Sequence, residues 1–562
     1  VLSRHRVAAG AGLAAGLIWI LLALHSLSSG GVTWDEMFDF EGVNGAFWHG
    51  INWLKGAHPD LHTITFDLEW FGNATRWPTY LLWRLLMTLP WEQITSLSRT
   101  QIVLGSGYVG LNHLNAMAFA LAGIGLSAAL AWRLEGKRAG LLAGVLLLLL
   151  PTWMGHGWMN AKDIPMAASY LTYTLGSTLL LGRERSGVVL RVVGIALMGG
   201  SRVSSLAFIA VGEAVLFSLQ GRRSPGRWLG SLGLGLLLGF LLTPQAWGNP
   251  LGYPLEAMRF IGDRQGQGNF WGLLRYFATN LFDLLPSPVL IGLLLLILMA
   301  LAARRQPGTG PALPDGNLPV QEKRASPGLP LLLPTLLQLL IPPVMLMVGG
   351  KSLYNELRHL LMIQPPLCVL AGMGYARTLA ALPNRRVLGP GLDPAIEVQP
   401  AATRRTVVSR LLLRSLLLLA AAATVVLSLE LLLLSPYQYT YRSDLARLLE
   451  GRGAAPLRSD YWGFSGRETL GGCLKRQPCA DRLARLPLQV DGHSFNPELI
   501  SALADLLRPA PPPGPAGTLL ITTDPRTLER STPQAATRRV TLLPRPQRAT
   551  LSAIALEPTP AA

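Results

Sequence analysis

Apolar stretches about as long as a bilayer core is thick recur along this chain, and they restrict its fold more than any other feature. A run of ~20 apolar residues spans the hydrocarbon as a helix, and lipid offers an open chain no other way to satisfy its backbone. The first run extends from roughly Val7 to Leu27 and follows Arg4, His5 and Arg6. It exceeds the ~7–15 residues of a signal-peptide core, so it reads as a first transmembrane helix with its N-terminus inside. Further runs lie near Leu114–Trp132, Ala139–Trp153, Ile164–Leu181, Val188–Gly200, Val203–Leu219, Leu229–Leu242, Pro286–Ala303, Leu329–Val348, Leu360–Leu382 and Leu411–Leu434. The sequence therefore predicts an all-α polytopic membrane protein of about eleven spans over residues 1–434. A large first outer loop runs from roughly Ser28 to Asn112, and a small external region, 435–562, closes the chain with its fold left open.

Charge is distributed as this threading requires. Only 14% of residues are charged, against roughly 25% in an ordinary soluble domain. That balance excludes a disordered chain, a secreted disulfide scaffold and a plain cytosolic enzyme. The formal charge of +17 would suggest a nucleic-acid partner in a soluble protein. Here the positives sit in alternate short loops: Arg133/Lys137/Arg138, Arg183/Arg185, Arg222/Arg223/Arg227, Arg304/Arg305/Lys323/Arg324 and Arg385/Arg386/Arg404/Arg405. The positive-inside rule accounts for them, and no nucleic-acid partner is expected. The other loops hold Asp35, Glu36, Asp39, Glu41, Asp60, Asp67, Glu69 and Asp163. An odd number of spans follows, with the C-terminus on the outer side.

Several features have structural readings. Trp77–Trp83 in the first outer loop is rich in Trp and suits a helix lying in the membrane interface. Gly230, Gly233, Gly235 and Gly239 stud one span and suit close helix packing; no strand–turn–helix context supports nucleotide binding. Pro509–Pro515 is a Pro-rich linker, and Thr518–Thr523 after it reads as a strand. Cys368 lies in an apolar run as a buried thiol, whereas Cys473 and Cys479 suit a small-loop disulfide in an oxidising compartment.

The residues able to carry chemistry gather in three outer segments. The first is Thr33-Trp34-Asp35-Glu36-Met37-Phe38-Asp39, where paired acids beyond a membrane exit suit a general base or a metal site, and a solvated acidic loop would look the same. The second, Gly155 to Pro165, carries His156, Lys162 and Asp163; Trp158 and Lys162 also suit interface anchoring. The third, Lys351 to His359, brings Tyr354, Glu356, Arg358 and His359 to the start of an apolar helix. Arg358 suits a phosphate, through the fork of donors on its guanidinium, or simple snorkelling. Arg202 is a further phosphate candidate, and Arg259, Asp263 and Arg264 read as a solvated loop. His58-Pro59-Asp60-Leu61-His62 could be a metal fragment, for which two His and one Asp on a loop are weak evidence, and no cofactor is expected. Glu213 falls inside a predicted span, where an ionisable group is costly. It suits a transporter or flippase for a lipid-linked or small polar substrate, or a packed, hydrogen-bonded glutamate.

A first span followed by a large outer loop opening with Asp35-Glu36 resembles the GT-C superfamily of lipid-linked-sugar glycosyltransferases. The bacterial branch related to glycosyltransferase family 39, protein O-mannosyltransferase-like or aminoarabinose-transferase-like, is the nearest likeness. Asn160–Pro165, Glu356–Leu361, Pro436–Tyr441 and Asp460–Gly463 resemble stretches of that branch and occur in the same order. Tyr439–Arg442 departs from it by lacking a Phe-Asn pair. The resemblance implies a GT-C-type bundle in a bacterial inner (plasma) membrane, N-terminus cytoplasmic and C-terminus periplasmic or extracellular. It implies transfer of a sugar from a polyprenyl-phosphate donor to a protein, lipid or glycan acceptor on the outer face, with inversion and without metal. By the same resemblance Asp35 matches the first-loop catalytic acid with Glu36 its neighbour in the pair, Asp163 matches the acidic position of the second outer loop, and Arg358 falls near the lipid phosphate. Asp35, Glu36 and Asp163 are therefore expected to be catalytic, and His156, Lys162, Arg202, Tyr354, Glu356, Arg358 and His359 to bind substrate.

Overall fold

Helices occupy the apolar runs because a backbone in lipid must hydrogen-bond to itself. The computed structural model describes residues 17–26, 36–57, 72–87, 107–219, 224–264, 283–304, 329–348, 356–382 and 404–435. It also describes 488–490, 518–522, 536–542, 547–557 and single positions between these, among them Thr33, Gln438 and Ser443. The helices are α1 (Leu17–Ser26), α2 (Glu36–Leu54), α3 (Trp77–Leu86), α4 (Tyr108–Glu135), α5 (Lys137–Leu148), α6 (Pro151–Met159), α7 (Asp163–Leu181) and α8 (Ser186–Ser201). There follow α9 (Ser205–Leu219), α10 (Pro225–Leu241), α11 (Gly252–Arg264), α12 (Ser287–Arg304), α13 (Leu329–Val348), α14 (Gln364–Ala381) and α15 (Arg404–Leu433). A 3-10 turn, Glu356–Ile363, leads into α14.

By length and composition, four described helices can each cross a membrane: α4, α13, the Arg358–Ala381 unit and the Leu411–Leu433 part of α15. The bent pair α5 and α6 makes a fifth, and α1, α8, α9 and α12 contain shorter apolar helices. The sequence reading carried the third span straight through Trp153 and left Gly155–Pro165 as a loop. Instead the chain bends by 65° between α5 and α6. Leu150 is extended, at φ −76° and ψ 111°, because the residue before a proline avoids the helical region. Helix then resumes, and all nine residues of α6 are buried. Trp158 is therefore an interior residue, donating from Nε1 to Gln438 Oε1 (2.9 Å).

Helices α7 and α8 pack backbone to backbone. A Cβ on Gly194 would lie 2.5 Å from Tyr173 N, and one on Gly187 would lie 2.5 Å from Leu180 N. Gly176 meets the backbone of Arg191 in the same way. Glycine at these three positions lets two backbones touch. Of the four glycines read from the sequence as packing sites, Gly235 and Gly239 lie against α8, whereas Gly230 and Gly233 face open space. Overpacking costs typically ~1–3 kcal/mol, so Gly194→Leu is expected to lower the thermal unfolding temperature in detergent, and Gly233→Ala to leave it unchanged. Equal behaviour of the two variants would remove the close α7–α8 contact as a source of stability.

Glu213 is buried within the bundle and fully engaged. Its carboxylate accepts from Tyr173 Oη (2.7 Å), Trp228 Nε1 (2.7 Å) and Arg191 Nη2 (3.0 Å). Arg191 also donates to Ser231 Oγ and Ser177 Oγ and stacks 3.9 Å from the Trp228 ring centre. The packed-glutamate alternative is the one that matches.

In the C-terminal region the described residues form a four-stranded sheet of β1 (Leu488–Val490), β2 (Thr518–Thr522), β3 (Ala536–Leu542) and β4 (Gln547–Glu557). Its order is β1-β2-β4-β3, with β1 parallel to β2 and the other pairs antiparallel. The strand read at Thr518 is thus β2, and the helical description holds for the apolar part of the chain. Cys368 is buried on α14. Cys473, Cys479, His58–His62 and Pro509–Pro515 lie outside the described residues.

Candidate functional site

The site is built at one end of the bundle, where α2, α4, α7 and the 3-10 turn begin and α8 ends. At the other end, Arg133 pairs with Glu184 and Arg377 with Glu135, each at 2.6 Å.

Asp35 and Tyr354 lie outside the described residues, and Glu356 is described in its backbone only. The first-loop acids that are described begin α2. Asp39 is buried and pairs with Arg76 Nη2 (3.0 Å) and Lys162 Nζ (2.8 Å). Arg76 is held in turn by Asn73 Oδ1 (2.9 Å), and Asn73 Nδ2 donates to Gly42 O (3.1 Å). The segment before α3 is strapped to the end of α8: Ala74 N–H donates to Gly200 O (3.0 Å) and Thr75 N–H to Ser201 Oγ (3.2 Å). Glu36 is wholly buried and faces His113 Nε2 of α4 at 2.6 Å. Burial raises its pKa; His113 and the Thr33 N–H oppose that rise, and Asp39 adds to it.

The second loop shrinks to Asn160-Ala161-Lys162, and Asn160 organises it. Its Oδ1 accepts the backbone N–H of Lys162 (3.1 Å) and Asp163 (2.8 Å), tying off the start of α7. Its Nδ2 donates to Asp163 Oδ2 (2.9 Å) and lies 3.2 Å from His156 Nδ1, which accepts in the neutral tautomer that suits this contact. Asp163 stands between two guanidiniums: Arg202 pairs with its Oδ1, and Arg358 Nε lies 3.9 Å from its Oδ2. Arg358 and His359 are both buried at the entry to α14.

Because Lys162 precedes Asp163 in the chain, its bond to Asp39 joins the two halves. Four cations, Arg76, Lys162, Arg202 and Arg358, thus surround two carboxylates, Asp39 and Asp163. Cations gathered in this way suit an anion. Lys162 and Arg202 keep 19% and 26% of their side-chain surface exposed, against 8% for Arg358.

No family model matches the chain, and neither does any curated protein. The chain is similar to two crystal structures of ArnT from Cupriavidus metallidurans. The apo form is 15% identical over 98% of each chain, with a TM-score of 0.45. The form bound to undecaprenyl phosphate is 14% identical over 97% of this chain and 98% of that one, also with a TM-score of 0.45.

Of the site residues read from the sequence, the structure brings Lys162, Asp163, Arg202 and Arg358 together, with His156 linked through Asn160. Glu36 sits at the start of the same helix as Asp39. Arg259 is exposed on α11 rather than in a loop, and Asp263 and Arg264 belong to that helix. Sequence reasoning missed Arg76, Asn73, His113 and the turn-forming role of Asn160. Asn160 carried a readable signal, an Asn three residues before an acidic helix start. Among the described residues no group of three His, Cys, Asp or Glu side chains is arranged to hold a metal.

Proposed function

We propose that this chain is an integral membrane glycosyltransferase of GT-C type. It moves a sugar from a polyprenyl-phosphate donor to a protein, lipid or glycan acceptor on the outer face of a bacterial inner membrane. The observation that carries this reading is the cluster of Arg76, Lys162, Arg202 and Arg358 about Asp39 and Asp163, at the ends of bundle helices. An isoprenoid tail stays in lipid, so its phosphate rests where the helices end, and the cations clustered there suit it. The sequence resemblance, in which Asp35-Glu36 opens the first loop, supports the same chemistry.

In this reading the acceptor hydroxyl attacks the anomeric carbon in line with the departing phosphate. The new C–O bond forms as the old one breaks, and the phosphate leaves with the bonding electrons. Asp35 takes the hydroxyl proton. Arg358, Arg202 and Lys162 stabilise the charge growing on the phosphate, and Asp163 holds the two guanidiniums in place. The anomeric configuration inverts, and no glycosyl-enzyme forms. The transporter reading rested on Glu213, whose carboxylate is occupied by Tyr173, Arg191 and Trp228.

The test is transfer by the purified chain in liposomes, using polyprenyl-phosphate sugars and envelope extract as acceptor. Sugar lost from the donor should appear on one acceptor class. Movement of intact donor across the bilayer without transfer would sink the proposal. Within it, Arg358→Ala is expected to weaken donor binding by ~10-fold or more, since a charge-assisted hydrogen bond contributes ~1.5–3 kcal/mol, and to leave acceptor affinity alone. A titration showing unchanged donor affinity would release Arg358 from the phosphate.

A further inference from the structure

We infer that His113, acting through Glu36, is a positioning residue for the acid-bearing start of α2. The inference rests on the transferase reading above and concerns what holds its first-loop acids in place.

Three observations carry it. Glu36 is fully buried and His113 nearly so, and their side chains meet at 2.6 Å. His113 belongs to α4, a helix long enough to cross the membrane and hence a rigid anchor. The second Glu36 oxygen accepts the Thr33 N–H at 2.6 Å, while the Glu36 N–H donates to Thr33 O at 3.3 Å. This is the carboxylate half of a capping box. It ties together the two residues that bracket Trp34 and Asp35 in the chain.

One turn further on, Asp39 is tied to Arg76 and Lys162. The first turn of α2 is therefore fastened twice, to α4 through Glu36 and to α3 and α7 through Asp39. A carboxylate with both oxygens engaged and no exposure is not available to an acceptor hydroxyl. Glu36 acts by placing its neighbour. Burying such a pair is costly and is poor evidence of stabilisation, so a geometric role accounts for it better. Misplacing a catalytic group by about 1 Å can cost ~10²-fold in rate.

The test uses the full chain in liposomes with a polyprenyl-phosphate sugar, and compares wild type, His113→Leu, His113→Gln and Glu36→Gln. His113→Leu is expected to lower kcat by ~10²-fold with donor KM little changed. His113→Gln, which retains a donor amide, should recover most of that loss. Glu36→Gln keeps one acceptor oxygen for the Thr33 N–H and can turn its amide N–H toward a neutral His113 ring, so it should be milder than His113→Leu. Hydrogen exchange of the peptide covering residues 33–40 gives a reading independent of turnover: faster in His113→Leu, near wild type in His113→Gln. Near-wild-type kcat in His113→Leu, equal losses in Leu and Gln, a loss confined to donor KM, or unchanged exchange would each overturn the inference. Should His113→Leu fail to fold, Gln and Glu36→Gln decide it: a collapse in either as deep as removal of Asp35 would overturn it. Absence of transfer by wild type would instead count against the transferase reading, and the exchange measurement would still judge His113.

Discussion

Asp35→Asn in reconstituted protein is expected to reduce sugar transfer by ~10²–10⁴-fold, the usual contribution of a positioned general base. Asparagine keeps the size and one acceptor oxygen of the carboxylate but cannot take up a proton near neutral pH. Folding should be unaffected, because the neighbouring described acids carry the structural bonds: Glu36 to His113 and Thr33, Asp39 to Arg76 and Lys162. The measurement is single-turnover transfer from a labelled polyprenyl-phosphate sugar, alongside circular dichroism and thermal unfolding. Donor binding should persist, since the phosphate is held by the cations. Wild-type turnover in Asp35→Asn would take Asp35 out of the mechanism and pass the role of base to another group.

Arg191→Leu is expected to be the most destabilising of the substitutions considered. It leaves Glu213 buried without its cation and removes donors from Ser231 and Ser177. Breaking a buried ion pair on one side typically costs ~3–5 kcal/mol. Polar contacts within membrane bundles average less, ~0.6 kcal/mol in double-mutant cycles. The large figure applies because an orphaned charge, not a lost hydrogen bond, is left behind. Glu213→Gln should be milder, since an amide oxygen still accepts from Tyr173 or Trp228. Arg191→Leu combined with Glu213→Leu should recover part of the loss, because no unpaired charge remains. Denaturant unfolding in mixed micelles reads all three. A double variant no more stable than Arg191→Leu alone would mean that the charge imbalance is not the cause.

The helices were legible because lipid imposes a coarse rule on composition, and a described helix lies at each apolar run, though only four of the described helices, or five with the bent pair, are long and apolar enough to cross a membrane rather than the eleven expected. Pairings between distant residues were not legible. Arg191 is a single charge in an apolar run, and the groups that make it tolerable, Glu213, Ser231 and Tyr173, lie in other helices. The same holds for Asp39, whose partners Arg76 and Lys162 are far apart in the chain. Lys162, Asp163, Arg202 and Arg358 could be picked out one by one, because polar side chains at the ends of apolar runs stand out. That Asp163 separates two guanidiniums is a fact of tertiary packing. The break before α6 was missed because hydropathy stays high across Leu149-Leu150-Pro151, although the proline itself was the warning.

That break fixes what can move. A nine-residue helix enclosed on every side has no room to swing, and its last turn hands the chain to Asn160 and so to Asp163. His156 and Asn160 belong to a stationary wall. Replacements along Pro151–Met159 will be tolerated as poorly as those in the middle of a soluble protein's interior.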